Sequence, residues 1–535
     1  MASNAGFGGC YDHINSEWKK TAKVILGTEL GDLADYEKWL LSLKQPMLRK
    51  FSSVSGDGVA FASQDYAQVA KVMALGESPE QSKFKPLNLN EIKDIDSLVD
   101  ACREQIFYSG NIVLGNSAFV EGSSSVSDSF YVYNSARIFS SKNIACSTII
   151  KSAENTFGCN VSSYSNHSIR CHQYGKGVRN FELCLGWLSS DCYYSYNMGS
   201  CTNCMFSFNL RSKRNAVGNL ALSPEKYASI KQRLLEQIVS ELERKKSVPS
   251  LFDIINSCGP AEGHAKPLSK FASTEESPSQ TPSMEKAFAD TSRLVLGKAI
   301  RPMAQYGKWL KGRVVDVGEA QSALGSGKTA TPGYENFKGL KPGRFVNLQE
   351  SLILGERLAL SKSEAEKLDF SNLGLVLGRI AFLSSGDKGG TISNVTSCPI
   401  VIESSNCHSV LGCVFMKNSA YSVWSNGSDH VFGSAFLMNS MFSIKCYSSY
   451  GLNSCFEVDT SSDSTRSYFC HNIENVHESM FCFNAKNLNY AVWNQQVGRE
   501  AYLKLKGMLQ SWLLEKLEKE KKIDLDVFSI GSEII

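Results

Sequence analysis

No stretch of this 535-residue chain approaches the ~20 consecutive apolar residues that a membrane-spanning helix needs, so no membrane insertion is expected. The first residues, Met1-Ala2-Ser3-Asn4-Ala5-Gly6, lack the basic-then-apolar order of a secretory leader. The expectation is a protein made in a reducing cytoplasm, whether or not it is later incorporated in a virion. An excess of one charge is also missing. Lys and Arg number 56, Asp and Glu 53, and the net charge of +3 gives no general pull toward nucleic acid. The eight histidines form no HxxxH or HExxH pattern, and no GxSxG occurs, which removes the common signatures of zinc hydrolases and serine hydrolases. Hairpin dipeptides are scarce: Asn426-Gly427 is the sole Asn-Gly. Proline is absent from 111–219 and appears only as Pro399 in 390–494, while five of the thirteen prolines (249, 260, 267, 278 and 282) fall in 248–289.

What is abundant is cysteine, 17 in all, set among Ser, Asn and aromatic residues. An odd count without a leader argues against a disulfide framework. Cys146, Cys159, Cys171, Cys184, Cys192, Cys413, Cys446, Cys455 and Cys470 are expected to be reduced, buried and packed as small apolar side chains. Cys413 and Cys455 align with Ser434, and neither a disulfide nor a zinc site tolerates that exchange.

The chain also repeats itself. Met205-Phe206-Ser207-Phe208-Asn209 returns as Met480-Phe481-Cys482-Phe483-Asn484, and the offset of 275 continues through Ala216-Val217, Asn219, Glu225, Tyr227, Lys231 and Leu234. Upstream, Val24-Ile25-Leu26-Gly27 and Tyr36-Glu37-Lys38-Trp39-Leu40 return near offset 270 as Leu294-Val295-Leu296-Gly297 and Tyr306-Gly307-Lys308-Trp309-Leu310. A repeat of this extent predicts two tandem modules.

Taken in order, 13–44 reads as helix, Gln64–Leu75 as a short helical stretch, and Asn90–Phe107 as a better helix capped by Asn90. The matching part of the second module predicts a helix near Lys362–Leu368 and a strand at Leu373–Leu383. From 111 the texture changes to short runs of Ile, Val, Phe, Tyr and Cys between Ser, Asn and Gly. In the second module, Gly412–Ser419 resembles Gly433–Ser440 at a step of 21, and Ser454–Val458 keeps that register. The reading is a parallel β-helix with ~21 residues per coil. The fold class is therefore α+β, mainly β. The expected domains are a helical part at 1–110, a β-helix at 111–222, a capping helix at 223–247 and a linker at 248–289. The second module follows as an N-terminal part at 290–388, a β-helix at 389–495, a capping helix at 496–523 and a tail at 524–535. The linker is expected to be extended, with Leu251-Phe252-Asp253-Ile254-Ile255 docking on a neighbour.

Motifs that carry chemistry are thin. Ser322-Ala-Leu-Gly-Ser-Gly-Lys-Thr329 ends like a phosphate-binding loop, but Ser322 replaces the first Gly and Thr331-Pro332-Gly333 follows where a helix should start. The loop 311–344 is rich in Gly, Lys and Arg and is the one candidate for contacts with nucleic acid. Cys201-x-x-Cys204 would suit half of a zinc site, yet the second module has Val476 and Ser479 there, so no metal is assigned. Carboxylates that could serve a glycan-cleaving β-helix are Asp191, Asp429, Glu457, Asp459 and Asp463, scattered mostly at turns. No catalytic residue, metal ligand or cofactor is assigned.

The stretch Cys201-Thr-Asn-Cys-Met-Phe-Ser-Phe-Asn-Leu-Arg211, with Lys213, Asn219, Glu225 and Tyr227, resembles Cys/Asn-rich β-helix repeat proteins of small uncultivated bacteria and large phages. Those end in a C-N-L-R-N-K-x-Y-x-I-x-N-K stretch and a helix opening with Glu and Tyr. The resemblance covers about 100 residues per module and implies a fold; no site residue carries over from it. Together these readings predict a non-enzymatic structural or assembly protein that bridges equivalent surfaces in a larger particle, a phage or virus virion component, through self-association or protein partners. The alternative is a glycan-binding or glycan-cleaving β-helix.

Overall fold

The computed structural model describes residues 9–43, 46–77, 84, 94–273, 282–341, 343–384 and 386–532. Two compact units emerge, and neither is contiguous in the chain. One comprises Met1–Met47, Val113–Glu275 and Glu319–Asp387; the other comprises Leu48–Ile112, Glu276–Gly318 and Lys388–Ile535. Residues 48–112 thus belong to the unit built around the second solenoid, and 319–387 to the unit built around the first.

The centre of the first unit is a parallel solenoid whose coil is 12 residues long, not 21. Ala118 pairs with Phe130, Phe130 with Lys142, Lys142 with Glu154 and Glu154 with Asn166, all in parallel register. The opposite face keeps the same step, with Ala136 on Thr148 and Thr148 on Asn160. From Phe119 to Gly218 every third residue has positive φ, between 44° and 66°. The coil is therefore a four-cornered loop of three-residue sides. The residue after each corner points inward, giving the buried series Val126, Ser129, Val132, Ser135, Ile138, Ser141, Ile144 and Ser147. The similarity at 21 misleads because 21 is seven triplets. It keeps inward residues inward but spans one and three-quarter coils.

An L-residue in the left-handed region costs roughly 1–2 kcal/mol, so so many corners need compensation. Part of it comes from asparagine, which tolerates that region. Corner asparagines form amide ladders one coil apart: Asn143 on Asn155, Asn197 on Asn209, Asn203 on Asn215. Part comes from the inward serines. Each hydroxyl donates to the carbonyl two residues before it and accepts the N–H one coil later, as Ser141 does with Phe139 O and Ala153 N. Cysteine takes the same post. Cys159 Sγ donates to Phe157 O and accepts Cys171 N at 3.2 Å. This is why Ser and Cys exchange freely along the sequence.

The first helix, Cys10–Leu26, lies across the rungs from Ala118–Glu121 to the strand beginning at Val178. Its 17 residues span about 25 Å, close to the ~24 Å of six stacked rungs. It stops at Gly27, whose φ of 87° allows the left-handed cap, and a second helix follows at Leu33–Leu41. The expected single helix over 13–44 is thus broken in two. The helix Pro224–Lys245, capped by Ser223, packs on the last rung, Arg214–Val217. The described residues of the expected extended linker are instead largely helical. Leu251–Ser257 is a helix with a Ser250/Asp253 capping box, it buries Leu251, Phe252, Ile254 and Ile255, and helical turns continue to Phe271.

In the second unit the solenoid runs from Ser393–Thr396 to Asn489–Val492, again in steps of 12. The corners are unbroken from Glu403 to Trp493 and are interrupted at Ile400, beside Pro399. The helix Pro282–Leu296, ended by Gly297 at φ 83°, lies along this solenoid, and Arg499–Glu520 packs on its last rung. First rung, last rung and terminal helix all stand 275 residues from their counterparts in the first solenoid.

The segments 48–112 and 319–387 depart from expectation in detail. Residues 64–71 are not helical, and Val72–Ala74 is a strand paired in parallel with Tyr108–Gly110. The later helix is Ile95–Arg103; its expected cap Asn90 lies outside the described residues. The apolar run at Leu373–Leu383 forms a helix, Leu373–Leu377, before a strand at Leu383–Ser384. A short apolar run cannot be assigned by periodicity, and tertiary pairing decided it.

Candidate functional site

Each unit buries an ion pair whose partners are one coil apart and both occupy corners. In the first, the Arg170 guanidinium bonds the Glu182 carboxylate, the Trp39 carbonyl and the Ser42 hydroxyl, and lies over the Trp39 ring. The second Glu182 oxygen accepts Leu251 N at 2.9 Å. In the second unit, Lys445 lies 3.5 Å from Glu457 and over the Trp309 ring, and Glu457 accepts Val527 N at 3.1 Å. Trp, cation and Glu recur as a set, and each Glu holds the segment that follows the terminal helix. Burial raises both carboxyls above the ordinary range. The opposing cations and the backbone N–H donors pull them back, and Glu457 is left at about 7. Arg170/Lys445 and Glu182/Glu457 match at offset 275, so the pairing is legible in the sequence as a repeated feature and not as a catalytic motif.

Two residues along the same coil, Asp459 accepts hydrogen bonds from Tyr66 Oη at 2.6 Å and Thr460 Oγ1 at 2.9 Å, and meets His471 Nδ1 at 2.9 Å. His471 Nε2 is occupied by the Ser109 N–H at 3.1 Å, which assigns the proton to Nδ1. A general base would need that Nε2 free. Asp459 and His471 are 1% and 0% exposed, so no substrate reaches them. Burial, then the Asp459 carboxylate, holds the Tyr66 phenol well above its usual range.

Of the five candidate carboxylates, Glu457 and Asp459 are neighbours along one strand, and both are buried in packed protein. Asp191 pairs with Arg179 at the surface of the first unit. Asp429 pairs with His430 and accepts from Asn418. Asp463 stands at a corner beside Gly451. A cleft of about 270 Å³ lies between the helices Ile95–Arg103 and Arg499–Glu520, lined by Asp96, Asp100, Arg103 and Lys516 among others and by none of the five.

The other sequence motifs resolve structurally. The phosphate-loop lookalike joins two paired strands, Gly318–Gln321 and Lys328–Thr331, so that its Lys-Thr end opens a strand and not a helix, and Lys328 pairs with Glu319. In the basic loop, Lys311 pairs with Asp316, Arg313 with Asp526, Lys338 with Glu335, and buried Arg344 donates to four carbonyls. These four cations are engaged within the units. Cys201 and Cys204 point inward, each thiol donating to a carbonyl. Among the described residues no group of three or more His, Cys, Asp or Glu is arranged to hold a metal ion. The cysteines whose side chains are described are buried and free of disulfides. Seven of the nine coil cysteines face inward. Cys146 instead occupies a corner, and Cys184 lies on the outer side of its strand under covering segments. Among the described residues no helix is long and apolar enough to cross a membrane.

No family model matches the chain, and neither a curated protein nor a solved structure matches it.

Proposed function

We propose that this is a non-enzymatic structural protein, a tandem duplication of one solenoid module that holds equivalent surfaces of a larger particle, such as a virion, together. The observation that carries the reading is what the two halves have in common. Rungs, terminal helices and a Trp–cation–Glu set recur at near-constant offset, and the shared polar groups fasten the chain's own segments. A duplicated enzyme would be expected to keep reactive groups at an open cleft in at least one copy.

Native mass measurement and negative-stain imaging of the protein from its source test it. A defined assembly with itself or with partner proteins is expected, together with no hydrolysis across a glycan panel. A persistent monomer without partners would overturn the reading. So would glycan cleavage that is lost in Asp191→Asn or Asp463→Asn.

A further inference from the structure

The two segments 48–112 and 319–387 are received by the solenoids in matching ways. Asn209 Nδ2 donates to Phe382 O at 2.8 Å, and Asn484 Nδ2 donates to Phe107 O at 2.9 Å. Tyr196 Oη donates to Ser384 O at 2.8 Å, and His471 Nε2 accepts Ser109 N at 3.1 Å. Asn209 and Asn484 are 275 residues apart, as are Phe107 and Phe382, Tyr196 and His471, and Ser109 and Ser384. The same two coil positions therefore take the same two insert positions, each time from the other half of the chain. Further bonds deepen each docking: Leu360 N to Gly218 O and Asn219 Nδ2 to Leu358 O in one unit, Tyr66 Oη to Asp459 and Tyr108 Oη to Val527 O in the other.

We infer that the coil face carrying Tyr196 and Asn209, with its counterpart His471 and Asn484, is an interaction surface whose partner is the insert of a second copy of the module, supplied here in cis by fusion. Each half gives up its own insert and receives the other's, so the halves are clasped reciprocally and neither solenoid is completed by its own half. This rests on the duplication reading above. Side-by-side packing of two finished modules would instead place Phe107 against Asn209.

The test uses the full chain with a photo-crosslinking benzoylphenylalanine in place of half-buried Phe107 and a protease recognition sequence placed within 274–281. The native protein is illuminated, cleaved and denatured. The expected result is two fragments still joined at the mass of the intact 58.8 kDa chain, with the crosslink mapped to the peptide holding Asn484. Separate fragments, with the crosslink mapped to the Asn209 peptide, would overturn the inference. That failure would leave duplication and assembly standing, because the 275-residue offset does not depend on which half receives an insert. Conversely, a lone monomer by native mass would remove the assembly reading and leave the crosslink untouched. As a probe-free arm, Asn484→Ala should speed amide exchange at 107–110 while leaving 382–384 unchanged; the reverse pattern would also overturn it.

Discussion

Replacing Ser147 tests the inward hydroxyl ladder directly. Ser147 is fully buried in the column Ser123, Ser135, Ser147, Cys159, Cys171. Its own N–H donates to Ser135 Oγ at 3.0 Å, and its Oγ accepts Cys159 N at 3.0 Å and donates to Ala145 O at 2.8 Å. Ser147→Ala does not orphan the Ala145 carbonyl, which still accepts Gly158 N. It does strip the Cys159 N–H of its acceptor. One buried unsatisfied N–H costs about 1–3 kcal/mol. Ser147→Cys keeps an acceptor of the kind Cys159 already offers Cys171 and should cost under about 1.5 kcal/mol, the added sulfur volume being the main term. Coils couple mainly to their neighbours, so the sharpest assay is native-state hydrogen exchange at the Cys159 amide, with urea unfolding beside it. Protection at that amide should fall roughly 5- to 150-fold in the Ala variant. An Ala variant protected like the parent, or a Cys variant less protected than Ala, would refute the ladder as a stabilising device.

The buried Glu457 predicts a pH dependence. Its folded value, about 7, lies above the ordinary 4.5, so its contribution is fully present below pH 4.5 and is lost as pH rises through 7, on the order of 3 kcal/mol. Lys445→Met with Glu457→Gln keeps an acceptor for Val527 N, removes both charges and should flatten stability between pH 4.5 and 7; an unchanged slope would sink the assignment. Glu457→Gln alone strands Lys445 and should be the less stable variant, by about 3–5 kcal/mol at most. Leu188 sits at a corner with φ 53° and is 51% exposed, so Leu188→Asn should stabilise by about 1 kcal/mol in urea unfolding and Leu188→Val should destabilise. An Asn variant less stable than the parent would contradict the corner argument. Thiol titration should find few reactive groups in the folded protein and close to all 17 after unfolding without reductant. Burial pushes the Cys10 and Cys455 thiols up to about 12, which leaves them protonated at neutral pH.

Much of the local rule is written in the chain. Val126, Ser129, Val132, Ser135 and Ile138 alternate small polar and aliphatic residues every third position, with Asp128, Tyr131, Asn134 and Arg137 at the corners between them. That pattern is compatible with a stacked parallel structure with a thin core, in which cysteines such as Cys159 and Cys171 take the inward positions. The offset of 275 likewise makes the likeness of the halves readable without coordinates, down to Arg170 with Lys445 and Glu182 with Glu457. The candidate carboxylates were legible as residues and not as a site. Whether Glu457 and Asp459 face solvent depends on the covering segments, Val527 and Tyr66, which lie 70 and 393 residues away.

Tertiary structure decided two things. One is the coil length: every multiple of three keeps the inward phase, so 12 and 21 look alike in sequence, and only the closure of four corners with hydrogen bonds between successive coils selects 12. The other is which solenoid receives 48–112 and which receives 319–387. The receiving asparagines Asn209 and Asn484, and the received Phe382 and Phe107, stand at equal offsets, so these positions by themselves do not distinguish the two choices. The choice shows only in contacts between residues far apart in the chain, such as Asn209 with Phe382 and Asn484 with Phe107, which no single window of residues contains.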